Sequence, residues 1–115
     1  MAYSFQVTFD CREPHVLADW WADALGWEVE TQDAEFIRSM IDQGFATEAE
    51  TSTHKGKLVW KEGAAIFHPD DAPGPERRRI YFQSVSEPKT VKNRVHLDLR
   101  VGHDRIEAEV ERLKA

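Results

Sequence analysis

A run of alternating residues followed by an amphipathic helix occurs twice in this chain, and that repetition limits its fold more than any other feature. Phe5-Gln6-Val7-Thr8-Phe9-Asp10 and Val95-His96-Leu97-Asp98-Leu99-Arg100 both alternate apolar with polar side chains. A strand turns successive side chains to opposite faces, so Phe5, Val7 and Phe9 share one face while Gln6, Thr8 and Asp10 share the other. In the second copy Val95, Leu97, Leu99 and Val101 make the apolar face and His96, Asp98 and Arg100 the polar one. These polar rows differ from the Lys, Glu and Thr mixture of an ordinary solvated face, and they are the candidate site.

A chain of 115 residues suits a single domain over 1–115, since two cores of half that size would each be marginal. Hydrophobic residues make up 41% and charged residues 31%, the balance of a globular protein. No apolar run approaches the roughly 20 residues that cross a bilayer, and no basic stretch leads into an apolar core near the start. The expectation is a cytoplasmic protein without a membrane partner. A lone cysteine, Cys11, excludes an intramolecular disulfide. Fifteen basic against twenty-one acidic residues give a net charge of -6, which argues against a nucleic-acid partner because binding phosphates needs a basic footprint. Two local clusters, Arg77-Arg78-Arg79 and Lys89/Lys92/Arg94, read either as solvated strand ends or as an anion site.

Pro14 suits a first helical position and Gly26 a C-terminal stop, which predicts a helix over 14–25. Val16, Leu17, Trp20, Trp21, Ala24 and Leu25 give it a wide apolar stripe, and the two tryptophans read as core packing rather than ligand stacking. Trp27 to Glu30 alternates as a short strand. Asp33 offers a cap for a second helix over 34–43 ending at Gly44. Residues 45–57 read as a loop with some helix. Lys57 to Lys61 and Ala64 to Phe67 flank Glu62-Gly63 and predict a hairpin. Residues 68–75 are loop, 79–85 a strand ended by Pro88, and Asp104 with Glu107 a capping pair for a last helix bearing Ile106, Val110 and Leu113.

Val7-Thr8-Phe9-Asp10-Cys11, Trp20-Trp21-Ala22-Asp23-Ala24-Leu25-Gly26, and above all Phe82-Gln83-Ser84-Val85 with the run from Glu87 to Leu99 resemble the bacterial glyoxalase-like proteins of the vicinal oxygen chelate superfamily. The resemblance spans almost the whole chain. It implies an α+β fold: a first βαβββ module over 1–86 with a helical insertion, plus the first strand and helix of a second module over 94–115. Paired modules of this kind enclose a cleft for a small molecule. The ligand positions of metal-using relatives fall on Gln6, His96 and Gln83. A Glu would be usual near position 83, and the sequence ends at Ala115 before three expected strands.

Two amides and one imidazole make a weak donor set for a divalent ion. One expectation is therefore a small-molecule-binding protein in which Tyr81, Gln83 and Arg100 read the ligand together with Asp98. Another is a metal-dependent lyase, isomerase or dioxygenase acting on a vicinal-oxygen substrate. In it Gln6 and His96 would hold Zn, Ni, Mn or Fe, and Asp10 or Asp98 would act as base. A structural dimer without ligand is a third. His96 reads as a neutral histidine hydrogen-bonded inside the cleft before it reads as a ligand. The unpaired strand at 95–101 predicts a homodimer through that region, or a fragment of a longer protein.

Overall fold

The computed structural model describes residues 1–114. Four strands make one sheet in the order β1 (Val7–Cys11), β6 (Arg79–Ser84), β5 (Gly63–Phe67) and β2 (Glu28–Val29). β1 runs parallel to β6, and the other two pairings are antiparallel. A helix, α1 (Pro14–Leu25), connects β1 to β2, so strand, helix and three further sheet strands follow in the expected βαβββ sequence and the class is α+β. No helix among the described residues is long and apolar enough to cross a membrane.

Pro14 sits in the first turn, where its missing N–H has no helical acceptor to lose. Gly26 ends the helix with φ +70°, the left-handed conformation that lets its N–H reach back to the Ala22 carbonyl. Ala18 and Ala22 are small enough to bring the helix close to Ala64, Ile66, Ile80 and Phe82 on the sheet. Ile66 and Phe82 are fully buried, each contributing about 1.5–3 kcal/mol. Trp21 joins this core and stacks on Phe9, with ring centroids 6.2 Å apart. Trp20 and Val16 remain exposed, because the apolar stripe is wider than the strip of sheet beneath it. The core reading holds for Trp21 and not for Trp20.

Between β2 and β5 the chain makes an excursion through α2 (Ala34–Asp42) and a hairpin of β3 (Thr51–His54) with β4 (Lys57–Trp60). Asp33 caps α2 as expected, its Oδ1 accepting from the N–H groups of Glu35 at 2.9 Å and Phe36 at 3.3 Å. The expected hairpin of 57–61 with 64–67 does not form. β4 turns back on β3 through Lys55-Gly56, whose φ values of 51° and 79° match the two positive dihedrals of a tight type I′ turn. Part of the stretch expected as loop is therefore strand. β5 instead lies in the middle of the larger sheet, where Gly63 to Ile66 are buried on both faces.

The second copy departs further from expectation. Residues 95–101 form no hydrogen-bonded strand, although their burial alternates: Leu97, Leu99 and Val101 are half-buried while His96, Asp98 and Arg100 are exposed. Leu97 reaches the core beside α1. Alternation reports which side chains find cover, whereas a ladder needs a neighbouring backbone, and no described strand supplies one. Asp104 is not the cap of the last helix: it lies in a short turn, His103–Arg105, that precedes α3 (Ile106–Lys114). The first strand also starts later than the alternation predicts, leaving Phe5 exposed.

Candidate functional site

Because Val7, Phe9, Cys11, Ile80 and Phe82 turn toward α1, the residues between them turn to the opposite, open face of the sheet. The pairing of β1 with β6 sets Thr8 beside Tyr81 and Asp10 beside Gln83. Gln6 lies next to Arg79, whose Nη1 donates to Gln6 Oε1 at 2.8 Å. Four of the residues singled out in the sequence, Gln6, Asp10, Tyr81 and Gln83, thus share one surface. His96, Asp98 and Arg100 do not join this array; they lie exposed on the extended segment, without hydrogen bonds or ion pairs from their side chains among the described residues.

Arg79 organises the open face. Its Nε and Nη2 donate to the two oxygens of Glu30 at 2.5 and 3.1 Å, a bidentate fork that reaches across β5 from β6 to the residue after β2. Its guanidinium also lies 5.6 Å from the centre of the Tyr81 ring. The Glu30 carboxylate raises the pKa of Arg79 against the opposing effect of burial. Tyr81 is raised too, by burial first and then by the charge of Glu62, whose Oε1 accepts from the phenol at 3.5 Å. Both groups keep their protons near neutrality. Glu30 was not singled out from the sequence, and Arg79 only as one of the basic cluster 77–79; its place two residues before Tyr81 on the same strand is the signal that would have put it on this face.

The donor set does not fit a divalent ion. The Gln6 oxygen that would coordinate it already accepts from the Arg79 guanidinium, so an ion would have to displace that hydrogen bond. Among the described residues, moreover, no three His, Cys, Asp or Glu side chains stand close enough together to hold one.

The basic cluster 77–79 is also committed internally. Arg77 stacks 3.4 Å from the centre of the Phe67 ring. Arg78 grips both oxygens of Asp71 at 2.8 Å, which holds that carboxyl well below the usual carboxylate range and closes the loop before β6. Arg78 and Arg79 are thus both paired with carboxylates, whereas Arg77 keeps a buried Nε without a hydrogen-bond partner.

A cleft of about 830 Å³ runs along the free edge of β1. One wall is Phe9, Leu17 and Trp21; the other is the extended segment from Val85 through Pro88 and Val91 to Val95. Asp10, Arg12, Lys89 and Arg94 add charges of both signs. Cys11 also lines it, and burial pushes its thiol pKa up, which disfavours the thiolate. Of the expected catalytic, metal and substrate residues Asp10 lines this cleft, and so do Lys89 and Arg94 of the second basic cluster. The apolar part of the 85–95 wall was not legible beforehand, because the segment has no periodicity; only its basic residues stood out, as a solvated strand end or an anion site.

A smaller pocket of about 440 Å³ opens at the other end of the open face, between Gly63 and Tyr81 of the sheet and the inserted segment. Tyr81 lies so close over Gly63 that a Cβ there would come within 2.5 Å of its Cζ and 2.6 Å of the Phe82 carbonyl. Gln32 fixes the pocket floor, its Nε2 donating to the Gly63 carbonyl and its Oε1 accepting from the Trp60 N–H, at 2.8 and 2.7 Å.

No curated protein and no solved structure matches the chain. The family model described as a glyoxalase-like domain matches residues 6–115, which takes in the four-stranded sheet, the insertion and the second copy of the strand-helix pattern. With the βαβββ order of its sheet in agreement, the chain belongs to the glyoxalase-like domain family of the vicinal oxygen chelate superfamily.

Proposed function

We propose that this glyoxalase-like protein binds a small, largely apolar molecule in the cleft along β1. The observation that carries the reading is the composition of that cleft: aromatic and aliphatic walls on both sides, with a few charged groups at fixed places, in a volume of about 830 Å³. Binding sites for small molecules commonly occupy roughly 300–1,000 Å³ and combine apolar walls with a few orienting polar groups. Asp10 is held on the strand at one end, while Arg94 and Lys89 come from the facing segment. A ligand with an aromatic body and an acidic group would place the body against Trp21 and the acid near the two basic residues. The arrangement of Gln6, Arg79 and Glu30 supports a binding role over metal-assisted chemistry, since its hydrogen bonds are made within the protein.

The test is a fluorescence titration with 8-anilinonaphthalene-1-sulfonate, an aromatic anion, on the folded protein. One site per chain is expected, with affinity at least tenfold weaker in Val91→Asp and several-fold weaker in Arg94→Gln at unchanged melting temperature. Val91 is 74% exposed, so the substitution leaves the core intact. Equal affinity in both variants would overturn the proposal.

A further inference from the structure

We infer that the pocket beneath the inserted segment is a second site, one that takes an organic cation of the alkylated-ammonium class. It is lined by Phe45, Trp60, Tyr81 and Met40, and the acidic residues at it are Glu50 and Glu62. Neither Lys nor Arg is among the described residues that line it. A hydrophobic cation gains from such a site twice, because aromatic faces carry negative potential and the carboxylates supply net charge. An anion would meet repulsion from both glutamates, and a neutral molecule would use the walls alone.

The pocket is held in shape by bonds that no ligand need make. Phe45 is fixed on the turn after α2 by its own N–H to the Met40 carbonyl at 3.0 Å, and the N–H of buried Ala46 reaches the same oxygen at 3.2 Å. This leaves the Phe45 ring 71% exposed at the rim. Glu50 is anchored through its backbone, accepting from Lys61 at 2.9 Å and donating to Thr47 at 3.1 Å. Glu62 stands beside the Tyr81 hydroxyl. Gln32 spends both ends of its amide on backbone groups of Gly63 and Trp60, so its role is to hold the floor to the wall. Ligand recognition falls to the rings and the carboxylates. This site is separate from the cleft along β1 and does not depend on the reading given to it.

The experiment is an NMR titration with choline chloride and, in parallel, its neutral isostere 3,3-dimethylbutan-1-ol, at constant ionic strength. Choline is expected to shift the Trp60 indole N–H saturably, with the indoles of Trp20, Trp21 and Trp27 as internal controls. The alcohol should bind at least tenfold more weakly. Glu62→Gln should weaken choline binding at least fivefold, and Phe45→Ala, a change at an exposed ring, should do the same at unchanged melting temperature. Glu50→Gln provides a second carboxylate variant if the first disturbs the fold. No shift at Trp60, equal binding of the alcohol, or undiminished choline affinity in both glutamine variants would overturn the assignment.

Discussion

β1 with α1 and the segment 95–101 with α3 carry the same pattern and end in different states. In the first pair, Val7, Phe9 and Cys11 meet a helix whose alanines allow close approach, and β6 completes the backbone ladder. In the second, three side chains find partial cover, no ladder forms, and none of the residues of α3 is buried. The difference lies in the neighbours, since the alternation is equally clean in both. An amphipathic pattern states which face will be buried; whether the segment becomes a strand is decided by what lies beside its backbone.

The comparison is broken most directly by truncating one core residue on each side. Phe82→Ala should lower the unfolding free energy by about 3–5 kcal/mol in urea titrations, whereas Leu97→Ala should lower it by about 1 kcal/mol. Equal losses would mean that the second copy is as integral to the fold as the sheet. Next in size is Gly63→Ala, which puts a methyl group against the Tyr81 ring and the Phe82 carbonyl and should cost about 1–3 kcal/mol. Because the obstruction includes backbone, adding Tyr81→Ala should restore only part of that loss.

A smaller effect separates the two helices by pH. Asp19 on α1 is opposed by burial, yet hydrogen bonds from His54 at 2.7 Å and Lys55 at 3.0 Å hold its carboxyl below the ordinary range. A depressed folded-state pKa stabilises above the unfolded value of about 3.9, and the contribution disappears as pH falls through the folded one. Urea midpoints measured from pH 6 down to pH 3 should therefore lose an Asp19 contribution of at most about 1 kcal/mol, given solvent screening. Asp19→Asn should abolish that part of the acid dependence. The smallest effect belongs to α3, tied to the end of α1 by Arg112, which donates to the carbonyls of Ala24 at 2.9 Å and Asp23 at 3.3 Å. Arg112→Ala should speed amide exchange within α3 and leave the global midpoint unchanged.

Local chemistry was legible in the sequence. Pro14 and Gly26 bounded α1, Asp33 marked the start of α2, and the strand expected over 79–85 and ended by Pro88 is β6. What depended on partners was not. β4 could pair with β3 or with β5, and the choice turned on Lys55-Gly56 supplying two positive dihedrals. Arg79 and Glu30 lie far apart in the chain, and only the strand order brings a residue flanking β2 to one on β6. The resemblance to glyoxalase-like proteins supplied the family and the module order. Spacing along one strand could not supply the cleft wall at 85–95.

The clamp made by Gln32 has a consequence for how this protein could be altered. By bonding to Trp60 on one side and Gly63 on the other, it brings the departure and the return of residues 33–60 to nearly one point. A detour that closes on itself asks little of the scaffold it leaves, and chain-closure entropy changes only slowly with the length of such a detour. Changes in the length of the 33–60 stretch would thus remodel the mouth above Tyr81 while the four-stranded platform kept its order, provided His54 and Lys55 kept their hold on Asp19.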